Sequence, residues 1–171
     1  MHGKASGVDV FVSTEGKGII EFIKEVKMEA IAGVDEIQNS FIIVNSKVER
    51  QASMTIAKVR EALKEKPEET QAIIDQIGLI SEHIGASIKE GKRISQDLIR
   101  QNHRLLSDQG LKVSHPQLEK IVKLLDRFGF AGKLSGAGGG GCVIGFAAGK
   151  LEEMPQGLRE EVENQGFEVI Y

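Results

Sequence analysis

The feature that most constrains the fold of this chain is a run of glycines set between two apolar segments. Residues 133–146 read KLSGAGGGGCVIGF, and the stretch from Gly136 to Gly141 carries a single methyl side chain. Flexible glycine linkers usually have polar neighbours, whereas here Leu134 and Cys142-Val143-Ile144 predict buried strands on either side. Glycine tolerates positive φ and close backbone approach. The run therefore predicts a strand–loop–strand turn whose N–H groups face an anion, with phosphate as the natural ligand.

Two well-known phosphate-binding motifs do not explain the loop. Gly136, Gly138 and Gly141 satisfy the dinucleotide pattern G-x-G-x-x-G, but that pattern must lead from a strand into a helix. Here the residues that follow, CVIGF, are typical of a strand. A Walker A loop is excluded as well, because its last glycine precedes Lys-Ser or Lys-Thr rather than Cys142-Val143.

The hydrophobic pattern along the chain predicts a mixed order of strands and helices. Amphipathic spacing indicates a helix over residues 52–64 that stops at Pro67, a second from Thr70 to Gly91 with a continuation through Leu106, and a further helix after Pro155. Ser114 with Pro116 predicts an N-cap for another helix, which ends at Gly129. Extended segments are predicted at residues 19–31, 41–44, 131–134, 142–146 and 167–170.

From residue 41 onward this order reads β, helices, β, β, α, β. It is the order of the split βαβ unit in a ferredoxin-like sheet with helices on one face. We therefore predict an α/β (α+β) fold in which additional helices are inserted after the first strand.

Charge and composition limit the classes of binding partner and the cellular compartment that we expect. The net charge of −3 gives no reason to expect nucleic acid or an anionic membrane as a partner. No apolar run approaches the roughly 18 residues of a membrane-spanning helix. The single cysteine, Cys142, cannot form an internal disulfide, so we expect a cytoplasmic protein.

The histidine and cysteine side chains, which bind metals or act as nucleophiles in many proteins, show no pattern that is typical of either role. His83, His103 and His115 lack the spacing of metal ligands and are interpreted as surface or helix-end histidines. Cys142 begins a predicted strand and is interpreted as a core residue rather than a nucleophile. No metal ligand is assigned in this chain.

Three stretches, in a consistent order, resemble the GHMP small-molecule kinases and, among these, the mevalonate kinase branch. Residues 133–142, KLSGAGGGGC, resemble the third motif of that family. Ser6-Gly7-Val8-Asp9, followed by Val12-Ser13-Thr14, looks like the segment that bears the catalytic aspartate. Asn45-Ser46-Lys47-Val48 with Arg50 is similar to the segment that lines the mevalonate site. The family's lysine-bearing first motif and its Gly-Leu-Gly-Ser-Ser loop are not in this sequence, so the resemblance implies that they lie upstream.

The resemblance implies a site for phosphoryl transfer from ATP to mevalonate. It makes Asp9 the catalytic base and gives Ser6, Gly7 and Ser46 roles in substrate binding. It implies Mg²⁺ as a cofactor whose ligands lie upstream. The phosphate and ATP loop would consist of Ser135, Gly136, Ala137, Gly138, Gly139, Gly140 and Gly141.

The resemblance also implies a division of the chain. Residues 1–40 would be the end of the N-terminal kinase lobe, and residues 41–171 the GHMP kinase C-terminal domain. The missing N-terminal lobe would then be a required partner, and the chain alone would be inactive. An apolar face bared by its absence would favour self-association through residues 8–31, which makes a homodimer one expectation.

Several alternatives stay open at this point. The chain could belong to another GHMP kinase, such as phosphomevalonate kinase or galactokinase, or be a non-catalytic split or vestigial half that binds a partner polypeptide. Considered without the resemblance, Asp9 is more typical of a turn or cap. Ser46 and Ser135 could be purely structural, and Lys133 could be an exposed lysine at a strand end rather than a phosphate ligand.

Overall fold

The computed structural model describes residues 19–23, 27–32 and 36–170 of the chain. The first two of these ranges form a small antiparallel sheet from β1, Ile19–Ile23, and β2, Lys27–Ala32. This confirms the extended structure predicted for residues 19–31 in the two described parts of that segment. The β2 strand lies against a long helix of the remaining chain, described below as α2.

A second sheet of four strands organises the rest of the chain. It contains β3 (Phe41–Asn45), β4 (Ala131–Leu134), β5 (Cys142–Phe146) and β6 (Glu168–Val169). Its spatial order is β4-β5-β3-β6, and all neighbours are antiparallel. Because β3 and β4 both run antiparallel to β5, they are parallel to each other with β5 between them. This arrangement confirms the predicted split βαβ order, with β6 shorter than expected.

Helices occupy the predicted parts of the sequence. Their bounds are α1 Ala52–Glu65, α2 Pro67–Lys89, α3 Gln96–Leu106, α4 Pro116–Arg127 and α5 Leu158–Asn164. The second helix begins at Pro67 rather than at Thr70. Proline is favourable at the first helical position because the N–H group that it lacks would make no hydrogen bond within the helix. No helix in the described part of the chain combines the length and apolar character that crossing a bilayer requires.

The N-cap of α4 differs from the prediction. His115, not Ser114, occupies the cap, and its Nδ1 accepts the N–H of Gln117 at 3.2 Å. The reason is Pro116, whose ring forces the preceding residue into the extended conformation that a cap requires. His115 accordingly has φ −130° and ψ 145°. Ser114 is left free to donate its hydroxyl proton to the carboxylate of Glu119.

Apolar clusters lie on both faces of the four-stranded sheet. On one face, alternate residues of β3, β4 and β5 pack against α4 and α5 through buried side chains, namely Ile42, Val44, Leu134, Val143, Leu118, Ile121, Leu125, Leu158 and Val162. On the opposite face, Ala131 and Phe146 meet Ile37, Ile94 and Ile99. The expectation of helices on one face only is therefore wrong. The free edge of β4 needs cover, and α3 lies against that strand.

Candidate functional site: a glycine loop held at both ends

The loop between β4 and β5 has a backbone that demands glycine. Five residues have positive φ: Gly136 at 78°, Gly138 at 82°, Gly139 at 71°, Gly140 at 146° and Gly141 at 85°. Residues with a Cβ seldom adopt this region. The strand–loop–strand turn predicted from the glycine run is present, and its shape explains why so few side chains are tolerated.

The outer and inner halves of the loop have different surroundings. Ser135, Gly136 and Ala137 are exposed, and a Cβ added to Gly136 would meet nothing within 4 Å. Gly138 and Gly140 are buried. A Cβ would lie 2.1 Å from the carbonyl oxygen of Val113 at the first position and 2.6 Å from that of Glu49 at the second. The inner half thus requires glycine for close packing as well as for its backbone angles.

The segment that follows β3 holds the end of the loop. The buried hydroxyl of Ser46 donates to the carbonyl oxygen of Gly141 at 2.6 Å, and the N–H of Ser46 donates to the same oxygen at 2.9 Å. In return, the N–H of Gly141 donates to the carbonyl oxygen of Val48 at 3.0 Å. These bonds continue the pairing of β3 with β5 beyond the end of the sheet.

Two further contacts fix the middle of the loop. The N–H of Gly139 donates to the carbonyl oxygen of Val113 at 2.8 Å. On the other side lies the first turn of α1, where a Cβ on Gly139 would approach the hydroxyl oxygen of Thr55 to 2.7 Å. The loop is therefore packed between the start of α1 and the segment that precedes α4.

The tip of the loop presents unpaired donors. Within the described residues, the N–H groups of Gly136 and Ala137 make no hydrogen bond, and both residues are exposed. Consecutive N–H groups on a backbone of this kind form a concave site that suits an anion. The tip can therefore accept a phosphate oxygen without breaking any bond that holds the loop in place.

Two cationic side chains flank the loop. Arg50 covers Gly141, where an added Cβ would lie 2.7 Å from Nε, and its Nη2 is 3.9 Å from Sγ of Cys142. Lys133 on β4 is half-buried, and burial lowers the pKa of its amine. No carboxylate of the described residues pairs with either side chain. The exposed charge of Arg50 is thus available to a phosphate, whereas burial disfavours the charged form of Lys133.

The structure brings together some of the residues singled out in the sequence. Ser46 and the loop Ser135–Gly141 are in contact, whereas Ser6, Gly7 and Asp9 lie outside the described residues. Sequence reasoning did not find the carbonyl oxygen of Val113, because a main-chain acceptor has no signature in the residue type. Nor did it find His103, which is buried in the last turn of α3 rather than lying at the surface.

Within the described residues, neither a cluster of metal-ligating side chains nor the cavity beside α5 coincides with the loop. Among residues 36–170 and the two described strands before them, no three His, Cys, Asp or Glu side chains gather around a common point. A cavity of about 640 Å³ lies between β3, β6 and α5, lined by apolar residues such as Phe41 and Val169 and by polar residues of α5 such as Glu160. It is separate from the glycine loop.

Comparison with known proteins identifies the domain that contains this loop. Residues 86–164 match the family model described as "GHMP kinases C terminal". The chain carries a GHMP kinase C-terminal domain. The matched residues include α3, α4, the glycine loop and its two flanking strands.

Similar proteins of this family are mevalonate kinases. The mevalonate kinase of Archaeoglobus fulgidus is 33% identical over 170 residues, which are 99% of this chain and 54% of that protein. That of Methanocaldococcus jannaschii is 41% identical over 148 residues, 84% of this chain and 44% of that protein. The crystal structure of the Methanococcus jannaschii mevalonate kinase matches with a TM-score of 0.75 at 31% identity, covering 99% of this chain and 50% of that one. The chain thus spans about half the length of these relatives.

Proposed function

We propose that the chain is the C-terminal part of a mevalonate kinase, which transfers the γ-phosphoryl group of ATP to the 5-hydroxyl of mevalonate. The observation that carries this proposal is the glycine loop, with unpaired N–H groups at Gly136 and Ala137 and a closely packed inner half. The names of the similar proteins support the choice of mevalonate over phosphomevalonate or galactose.

In this proposal the loop Ser135–Gly141 binds the phosphates of ATP. Phosphoryl transfer depends on positioning and on neutralising negative charge rather than on covalent chemistry by the protein. The loop contributes main-chain N–H groups whose positions are fixed by Val113 and Ser46. Arg50 adds positive charge beside it.

Asp9 is proposed as the base that accepts the proton of the mevalonate hydroxyl, with Ser6 and Gly7 beside it in the substrate site. Ser46 is proposed as a further mevalonate contact. Because its hydroxyl proton is donated to Gly141, Ser46 would meet mevalonate only as an acceptor through its remaining lone pair. Its oxygen already accepts a longer bond, of 3.3 Å, from the N–H of Val48.

Magnesium is expected for this class of reaction, where it neutralises phosphate charge. The described residues do not fit a site for it, since no cluster of ligating side chains is present among them. We assign the Mg²⁺ ligands to the half of a mevalonate kinase that this chain does not match, and no step is attributed to the metal here.

The proposal also assigns a role to each part of the chain. Residues 1–40 would complete an N-terminal kinase lobe, and residues 41–171 would form the C-terminal domain that supplies the phosphate loop. ATP, mevalonate and that lobe are the proposed partners. We place the enzyme in the cytoplasm because its single cysteine requires no oxidising compartment.

The test is ATP-dependent formation of phosphomevalonate by the purified chain, alone and mixed with the N-terminal half of the Archaeoglobus fulgidus mevalonate kinase. We expect no product from the chain alone and measurable product from the mixture. Calorimetry should show weak or no binding of ATP to the chain alone. Product from the chain alone would overturn its proposed dependence on a second lobe. Preferential phosphorylation of phosphomevalonate or galactose by the mixture would overturn the choice of substrate.

A further inference from the structure

A buried histidine connects the start of the glycine loop to a carboxylate. His103, on α3, is only 5% exposed, and its Nδ1 accepts the N–H of Leu134 at 3.4 Å. Leu134 is the last residue of β4 and directly precedes the loop. On the other side of the ring, Nε2 lies 3.0 Å from Oε1 of Glu119 on α4, a close charged contact that lacks hydrogen-bond geometry.

The same carboxylate oxygen also accepts the hydroxyl proton of Ser114. Ser114 directly follows Val113, whose carbonyl oxygen holds the N–H of Gly139. Glu119 thereby joins two supports of the loop. Its contact with His103 leads to Leu134, at the start of the loop. Its hydrogen bond with Ser114 leads to Val113, which binds the middle of the loop.

We propose that His103, Glu119 and Ser114 are positioning residues that set the shape of the glycine loop for phosphate binding. None of the three belongs to the loop itself, and the resemblance to kinases assigns no role to any of them. The identity of the phosphate compound rests on the proposed function, whereas the control of loop shape does not.

The chemistry of the contacts explains why a histidine is needed at this point. The N–H of Leu134 faces away from β5 at the edge of the sheet and would be buried without an acceptor if position 103 were apolar. An imidazole that accepts at Nδ1 carries its proton on Nε2, which is the nitrogen that faces Glu119. The carboxylate therefore acts on the ring through electrostatic attraction to Nε2, while Nδ1 makes the bond to Leu134 that an apolar side chain could not make.

Amide hydrogen exchange followed by NMR on the purified chain tests this proposal without requiring any kinase activity. We expect Glu119→Ala to raise the exchange rates of the Leu134 and Gly139 amides about fivefold, the factor that one net hydrogen bond represents. The Ile121 amide, in the middle of α4, should not change. The matched control is Glu161→Ala, which removes a first-turn glutamate that also contacts two side chains, on α5 and away from the loop.

Variants at the histidine separate positioning from packing. Glutamine offers one acceptor and one donor, so His103→Gln should keep slow exchange at Leu134, while His103→Leu of similar volume should not. In the unmodified chain, ¹⁵N spectra should show a non-protonated Nδ1 and a protonated Nε2. The proposal is overturned if Glu119→Ala and Glu161→Ala give the same rates at Gly139, or if His103→Leu preserves the Leu134 rate as well as His103→Gln does.

Kinetics of the mixture with an N-terminal half add a functional measurement. Glu119→Ala should raise KM for ATP about fivefold and leave KM for mevalonate unchanged, because the loop faces the nucleotide. An equal rise in both constants would contradict the assignment to the phosphate loop. If no mixture has activity while the exchange rates shift as expected, the proposed function fails and the positioning network stands.

Discussion

The hydroxyl and the N–H of Ser46 both donate to one acceptor, the carbonyl oxygen of Gly141, at 2.6 Å and 2.9 Å. The bond from the hydroxyl crosses 95 positions of sequence and lies in a buried environment. A buried carbonyl oxygen that receives two donors in this way is held more tightly than the sheet pairing alone would hold it. The end of β3 and the end of the glycine loop therefore behave as one unit.

Removing the hydroxyl should weaken this unit. We expect Ser46→Ala to lower the free energy of unfolding by about 1 kcal/mol, since a buried hydrogen bond is lost while the N–H of residue 46 still holds Gly141. Urea denaturation followed by circular dichroism measures the change. Ser81→Ala is the control, because that hydroxyl bonds only to the carbonyl of Ile77 within an exposed helix. Equal effects of the two substitutions would contradict a special role for Ser46.

Substitutions of the loop glycines should be graded by their surroundings. Gly136→Ala should cost about 1 kcal/mol, because only its positive φ is unfavourable for alanine. Gly138→Ala should cost more than about 2 kcal/mol, since its Cβ would also collide with the carbonyl oxygen of Val113. Gly78→Ala, in the open interior of α2, should instead stabilise the chain by about 0.5–1 kcal/mol.

Valine extends the same series to function. At Gly138 or Gly140 it should abolish folding or raise KM for ATP in the mixture with an N-terminal half, whereas Ser135→Thr should be mild because Ser135 is exposed. Thermal unfolding and ATP kinetics provide the two measurements. Unchanged stability and kinetics in both valine variants would mean that the glycines form only a linker.

The buried amine of Lys133 should make stability depend on alkaline pH. Because burial lowers its pKa in the folded state, the unfolded chain holds more protons between that lowered pKa and the ordinary value of 10.5. The free energy of unfolding should therefore rise with pH across this window. Lys133→Met should remove this contribution to the pH dependence of the free energy of unfolding and should stabilise the chain near neutral pH. Urea denaturation at several pH values measures both effects. Lys120→Met, at an exposed position of α4, should change neither.

Asp9 is the residue on which the proposed chemistry depends most directly. In a mixture with an N-terminal half, Asp9→Asn should lower kcat by at least about a hundredfold while leaving the affinity for mevalonate nearly unchanged, because a base acts mainly in the transition state. Steady-state kinetics and calorimetry measure the two quantities. A variant with near-normal kcat would exclude Asp9 as the base.

Local sequence signals predicted most of the architecture. The short apolar run at residues 41–44 and the periodic stripes of α2 and α4 are properties of neighbouring residues, so they can be recognised without knowing the fold. Pro116 illustrates the limit of such signals. Its effect on the preceding residue outweighed the usual preference for serine as a cap and placed the cap at His115.

The site was predictable only in part, because its contacts join distant segments. The glycine run predicted its own positive φ angles. Nothing in the residue types predicted that the carbonyl oxygens of Val113 and Glu49 would pack against it. The burial of His103 was missed for the same reason. Its neighbours, Leu134 and Glu119, come from other elements and are known only once those elements are packed.

The pairing of β3 with β5 has a consequence for how the chain folds. All of the long helices lie between these two strands in sequence, so most helical structure can form before the strands meet. Closing so large a loop is entropically costly, and contacts of this separation slow folding relative to local ones. Ser46 can bind Gly141 only after that closure, so the end of the glycine turn is fixed later than the local pairing of β4 with β5. A chain with intact helices but unpaired β3 and β5 would therefore lack the proposed phosphate site, and phosphate binding would measure completed folding rather than helix content.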